Sequence, residues 1–247
     1  MGLLMLLALP LFSVADENTS LFQQGNAAYA KGQYTQAVQD YQKIVDGGYQ
    51  SVAVFFNLGN AYFRTGDIAS SLLYYEKAHK LAPSDEDINF NIHYVNAGTS
   101  DKVEQTPEFF VTKWWNNFIL FFSVNTLATL SVLVMLGGCA LLILYLFTNS
   151  FIIKRSAFYA GILAMVVSII LVFMANRQEN YFAGHQQAII FGNSVTAKNE
   201  PDTNGKPLFI VHEGTKVNVL QQTETWMEVE LPNGNAGWIS VTEAKDI

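Results

Sequence analysis

Asn26 and Asn60 stand one 34-residue interval apart, each directly after a glycine and three residues before an aromatic ring, Tyr29 or Phe63. A side-chain amide both donates and accepts hydrogen bonds. Two such amides repeated on one exposed face could hold the N–H and C=O groups of an extended peptide. Their other use would be to complete a turn motif within the chain itself. Phe22 and Phe56 precede the asparagines by four residues, about one helical turn, and Arg64 follows Phe63. Phe22, Asn26, Tyr29, Phe56, Asn60, Phe63 and Arg64 are therefore the expected lining of a peptide-binding groove, in which Arg64 would favour an acidic ligand. Capture of a terminal carboxylate is not expected, because Asp87 and Tyr94 stand where a basic third helix would be needed.

Residues able to make and break bonds are not grouped in this way. His79, His93, His185 and His212 fall in separate segments, and none has a metal-ligating partner at helical spacing. No nucleophile elbow or phosphate loop occurs. Asp85, Glu86 and Asp87 form the densest acidic cluster, but acidic residues at a helix start answer the positive end of the helix dipole. The single cysteine, Cys139, lies in an apolar run with no second thiol to pair with or to share a metal. These patterns predict a protein with no catalytic residues, metal or cofactor. A formal charge of -7 and an isoelectric point near 5.0 leave no basic face for phosphates, so nucleic acid is not an expected partner.

The asparagines belong to a longer repeat. Gly25-Asn26-Ala27, Tyr29, Gly32, Tyr34 and Tyr41 return without a gap as Gly59-Asn60-Ala61, Phe63, Gly66, Ile68 and Tyr75. An interval of about 34 residues is that of the tetratricopeptide repeat, two antiparallel helices per copy. Gly25 and Gly59 would let the helices of each pair approach closely, Gly32 and Gly66 would end the first helices, and Ala37 and Ser71 would sit at the crossings. Pro83 stops the second copy, and Ser84 with Asp87 would start a capping helix through Val95. The repeat domain is expected over residues 19–97.

Two stretches read as membrane-length. No charged side chain occurs between Lys113 and Lys154, a run too long for one span. Ser123, Asn125 and Thr126 offer a break, which predicts an interfacial helix over 107–125 carrying Trp114 and Trp115, then a span over 126–147. A second span is expected over 156–176, with Lys154 and Arg155 in a tight loop that the positive-inside tendency would hold in the cytoplasm. At the N-terminus, an apolar core from Leu3 to Phe12 leads into Ser13-Val14-Ala15. That core is short of the roughly 20 residues a span needs, so 1–15 reads as a signal peptide rather than an uncleaved anchor. Both soluble parts would then lie on the periplasmic side of a bacterial inner membrane, with the lipid bilayer as one partner.

The final segment changes period. Val217 and Val219, then Met227, Val229 and Leu231, alternate as strands do, with tight turns marked by Glu213-Gly214 and Asn233-Gly234. This order, ending in Gly237-Trp238-Ile239, resembles bacterial SH3 domains over 188–247. Trp226 and Trp238 could offer a platform to a sugar or peptide, although rings of that size are expected in the core. The fold class is thus a multidomain membrane protein: α-helical tetratricopeptide repeats, a two-helix transmembrane hairpin and an all-β SH3-like barrel.

Taken in that order, the parts resemble the repeat-containing, BatE-like members of the Bat (Bacteroides aerotolerance) family. The resemblance is carried by the segment from Trp114 to Phe147 with its Ser-x-Asn break, by Lys154-Arg155, and by Ala188 to Ile190 leading into LFIVHEGTKV. It implies a membrane-bound accessory encoded beside a MoxR-type ATPase and von Willebrand factor A membrane proteins, which would be partners in envelope stress tolerance. It supplies no catalytic residues. Peptidoglycan would be the ligand if the SH3 module instead senses the cell wall.

Overall fold

The computed structural model describes residues 17–99, 101, 114–115, 118–184 and 186–247. The expected signal peptide and residues 107–113 and 116–117 of the expected interfacial helix lie outside them. One compact unit contains the helical repeats together with the C-terminal strands, and a second contains the two long apolar helices.

The repeats comprise α1 (17–30), α2 (Tyr34–Asp46), α3 (Val52–Thr65), α4 (Ile68–Leu81) and α5 (Glu86–Asn96). Tyrosine rings set the spacing within each pair. A Cβ on Gly25 would lie 2.5 Å from the Tyr41 ring, and one on Gly59 would lie 2.7 Å from the Tyr75 ring. Only glycine admits that approach, and both rings are almost fully buried beside Ala37, Ile44, Leu58 and Leu72. Ser71 takes the crossing position of the second copy and donates to the Gly59 carbonyl at 2.9 Å. Gly66, at φ +87°, ends α3 in the left-handed conformation. The cap of α5 differs from the expected Ser84: the Asp85 carboxylate accepts from the Asp87 and Ile88 amides at 3.0 and 3.1 Å. That helix buries Ile88, Ile92 and Val95 and leaves Phe90 and Tyr94 mostly exposed, so its outer face is aromatic rather than solvating.

In the second unit, α6 (Val124–Phe147) and α7 (Phe151–Gly184) are both long and apolar enough to cross a membrane. At about 1.5 Å per residue even the 24 residues of α6 exceed a ~30 Å hydrocarbon core. Ser123 caps α6 by accepting from the Thr126 amide at 3.2 Å, which realises the expected break. The helices meet at small residues: Gly138 faces Ala164 and the Gly161 carbonyl, and the Ser168 hydroxyl donates to the Ser131 carbonyl at 2.9 Å. Large apolar side chains such as Leu133, Leu136, Ile162 and Ile169 point outward. Lys154 and Arg155 are not in the connecting loop, which is only Thr148 to Ser150, but in the opening turns of α7.

The C-terminal segment forms seven strands, β1 (Gln187–Ile190), β2 (Ser194–Lys198), β3 (Pro207–His212), β4 (Lys216–Gln222), β5 (Trp226–Glu230), β6 (Ala236–Ser240) and β7 (Ala244–Asp246). They pair as one antiparallel sheet in the order β3-β2-β6-β5-β4-β1-β7. Among the described residues, the expected closed barrel is therefore corrected to an open sheet, since β3 and β7 remain edges. Val211 of one edge and Ala244 of the other nevertheless share a single core with Ile190, Val217, Met227, Val229 and Ile239, which requires the sheet to curl strongly. Gly214, at φ +83°, makes the β3–β4 turn, in which the Thr215 amide donates to the His212 carbonyl at 3.2 Å. Close passage at Gly237 is also observed: a Cβ there would lie 3.1 Å from that of Ala197.

The strands are seated on the repeats. Glu76 of α4 is buried and pairs with Lys216 of β4 at 2.8 Å, while Lys80 donates to the Ile247 carbonyl at 3.1 Å. Gly214 at the turn lies against Ile68, Leu72 and Thr99. Just past α5, the Asp101 carboxylate collects the His212 amide at 2.7 Å, His212 Nδ1 at 2.7 Å and the Thr215 hydroxyl at 2.8 Å. Burial alone would raise its pKa, but these hydrogen bonds prevail and hold it below the usual carboxylate range. A carboxylate depressed in the folded state stabilises above its unfolded pKa, and that contribution is lost as pH falls through the folded value. Hydrogen exchange at the His212 amide should therefore show protection at neutral pH that disappears below the ordinary carboxylate range. Asp101→Ala should remove roughly tenfold of that protection at neutral pH, the equivalent of one hydrogen bond to a charged group. Unchanged protection in the variant would show that Asp101 does not pin the turn.

Candidate functional site

The repeat brings Asn26 and Asn60 together with Tyr29, Tyr41 and Asn57 around one depression of about 100 Å³. Within it, the Tyr41 hydroxyl donates to Asn26 Oδ1 at 2.7 Å, and Asn57 Nδ2 donates to the same oxygen at 3.0 Å. One period later the arrangement recurs. The Tyr75 hydroxyl donates to Asn60 Oδ1 at 2.6 Å, and Asn91 Nδ2 donates to it at 3.2 Å. Burial pushes the hydroxyls of Tyr41 and Tyr75 up to about 12, so both remain protonated donors at physiological pH. Each asparagine thus links the second helix of its own copy to the first helix of the next.

The flanking aromatics follow the same symmetry. Phe22 meets Tyr41 and Phe56 meets Tyr75 at identical geometry, 5.8 Å between centroids and 51° between planes. Phe63 packs edge-on against Tyr94 at 5.8 Å. Arg64 stands apart from this depression: its guanidinium lies 4.4 Å over the Tyr34 ring, facing a separate open hollow lined by Gln36, Gln39 and Thr65. Asn57, Asn91, Tyr41 and Tyr75 are participants that the expected lining omits. Their signal is present in the sequence, since Asn57 and Asn91 are also one 34-residue interval apart.

Trp226 and Trp238 are not in the core, contrary to expectation. Met227, Val229 and Ile239 take the inward positions of β5 and β6, and strand alternation turns both indoles to the outer face, where they are half-buried. Trp238 stands opposite Glu228 and Lys198, and Lys198 Nζ lies 5.6 Å over the Trp226 ring.

A larger cleft of about 510 Å³ lies where the strands meet the repeats, lined by Glu76, His79, His93, Asp101 and Lys216 among others. Burial lowers the pKa of His79, whose Nδ1 has no hydrogen-bond partner among the described residues. The charged groups of the cleft are paired with one another, Glu76 with Lys216 and Asp101 with His212, as parts of the seat described above. Among the described residues no group of three or more His, Cys, Asp or Glu could hold a metal ion.

The family model for the tetratricopeptide repeat matches residues 22–86. The comparison with curated proteins returned no match. Among solved structures, an NlpC/P60 family protein from Bacillus cereus is similar over 29% of this chain and 23% of its own, at 18% identity and a TM-score of 0.22. This chain therefore spans less than a quarter of that protein. The repeat segment is a tetratricopeptide array, a protein-interaction fold, and α1 to α4 with their shared tyrosine and asparagine positions are its two copies.

Proposed function

We propose that this chain is a non-enzymatic, membrane-anchored scaffold that grips protein partners in the groove of its tetratricopeptide repeats. The observation behind this reading is the asparagine arrangement. With Oδ1 of Asn26 and Asn60 each already accepting two hydrogen bonds, Nδ2 is the group each amide offers a ligand. Two like donors one repeat apart, flanked by Phe22, Tyr29, Phe56 and Phe63, suit the carbonyls and apolar side chains of an extended peptide. Arg64, held on Tyr34 beside a separate hollow, would add a cationic contact only to a ligand long enough to run on from the asparagines. Anchoring would come from α6 and α7, and the family resemblance names the partners: Bat-type von Willebrand factor A membrane proteins in an envelope stress-tolerance complex.

A second reading, a cell-wall sensor binding peptidoglycan, has the outer-face position of the half-buried Trp226 and Trp238 in its favour, because an indole at a surface can pack against a sugar ring. Cross-linking in intact cells separates the two. Von Willebrand factor A proteins among the adducts support the scaffold, and muropeptides alone support the sensor.

Replacing both asparagines by aspartate keeps an oxygen for the tyrosine hydroxyls while removing the outward donors. Asn26→Asp with Asn60→Asp should weaken partner binding at least about tenfold while changing stability by less than about 0.5 kcal/mol. A stable double variant that still captures every partner would exclude the groove as the binding surface. The topology has its own check. Alkaline phosphatase should be active when fused after Ile247 and inactive when fused after Asn149, within the short α6–α7 turn, and the reverse pattern would overturn the periplasmic assignment.

A further inference from the structure

We propose that His79 is a proton-operated latch: on gaining a proton it loosens the strands from their seat on the repeats. The latch joins two elements through three side chains. His79 stands in α4 three residues after Glu76, so the two share one face of the helix. Glu76 is buried and pairs with Lys216 of β4 at 2.8 Å, which ties α4 to the sheet. His79 Nδ1 is buried and has no hydrogen-bond partner among the described residues, while Asn89 of α5 is hydrogen-bonded to the ring.

A neutral imidazole fits this place and a charged one does not. In the neutral ring one nitrogen carries no hydrogen, and at Nδ1 that leaves only a lone pair unused. A proton on both nitrogens puts an N–H at Nδ1 with no acceptor, and sets a third charge beside a pair that already balances. Burial accordingly lowers the His79 pKa; the Glu76 carboxylate opposes that shift without overcoming it, and Lys216 adds to it. The charged ring has two ways to find a partner, and both act on the seat. Either it takes the Glu76 carboxylate from Lys216, which breaks the tie between α4 and β4, or the strands lift and water solvates the ring.

The other charges around α4 are engaged elsewhere. On α4 itself Lys80 donates to the Ile247 carbonyl, and Lys245 and Asp246 of β7 act on Lys77. From α3 comes only Arg64, held on Tyr34, and β1 carries no charged residue. Glu86 and Asp87 are exposed at the start of α5. His93 and Asp101 line the same cleft as His79, but Asp101 is occupied by His212 and Thr215. The closed and open seats therefore differ by one proton on His79. A solvated ring has the ordinary histidine pKa of about 6.5 and the seated ring a lower one. The seat is at full strength above about pH 6.5, and below it opening gains up to about tenfold per pH unit until the seated value is passed.

Thiol labelling of the full-length protein in native membranes reads the seat. Ile189 of β1 is fully buried yet stands outside the strands' own core, on the face toward α4, so a thiol there is reached when the seat opens. With Cys139→Ser as background, the maleimide rate of Ile189→Cys is divided by that of Leu220→Cys, an exposed residue of β4, to remove the pH dependence of the reaction itself. Between pH 7.5 and 5.5, above the ordinary carboxylate range, the ratio should rise at least about threefold. His79→Gln, whose amide gains no proton, should hold the ratio flat, and His93→Gln should keep the rise. In the protein with His79 intact, NMR of that ring in detergent should show it titrating below the ordinary histidine value. A flat ratio with His79 in place, a rise that survives His79→Gln, a rise lost in His93→Gln, or an ordinary titration of the His79 ring would each overturn the proposal.

Discussion

A tyrosine ring laid directly on a glycine is the contact on which the repeat segment depends. Tyr41 on Gly25 and Tyr75 on Gly59 occupy the space that any Cβ would need, and this brings the paired helices close enough for each hydroxyl to reach an asparagine. The rest follows outward from that contact. Asn26 and Asn60, fixed by the hydroxyls, hold Asn57 and Asn91 of the next helix, so one buried ring per copy ties three helices together. A buried hydroxyl left without a partner costs about 1–3 kcal/mol, which explains why the ring and the amide occur as a pair in both copies.

The same arrangement fixes which groups the two amides leave free. An amide in solvent could donate or accept, whereas one whose oxygen is taken by a tyrosine hydroxyl and a second amide presents only its N–H groups. Packing inside the repeats thereby decides which hydrogen-bonding groups this surface presents. At the far end of the array, α5 carries Asn91 in register with Asn57 but Tyr94 in register with Asn60, so the ladder stops and an exposed aromatic pair, Phe90 stacked on Tyr94 at 6.2 Å, takes its place. The curled sheet is held beyond that helix by Asp101 and by the buried Glu76–Lys216 pair, which makes repeats and strands one body rather than two beads on a string.

Much of this was legible in the chain itself, for identifiable reasons. The 34-residue interval is a local signal repeated twice, and it located the helices and the glycines at the close approaches. Strand alternation and the turn at Gly214 were equally local. What escaped were relations between positions far apart. Whether Asn26 faces a ligand or a tyrosine fifteen residues away depends on a helix crossing, and the amide alone is consistent with either. Trp226 and Trp238 were expected inside because of their size, yet Met227, Val229 and Ile239 fill that side, and alternation leaves the indoles no inward position. Barrel closure, too, rests on whether the first and last strands meet, which no turn residue encodes. The seat of the strands on the repeats is carried by Asp101 and His212, 111 positions apart, and no spacing rule connects them.

The most direct measurement is a double-mutant cycle on Tyr75→Phe and Asn60→Ala, read as unfolding free energy of the full-length protein in detergent. A hydrogen bond that organises the repeats predicts a coupling of about 0.5–1.5 kcal/mol between the two substitutions, beyond the sum of their separate effects. Losses that add to within about 0.3 kcal/mol would mean that ring and amide are independent and that the tyrosine does not set the asparagine.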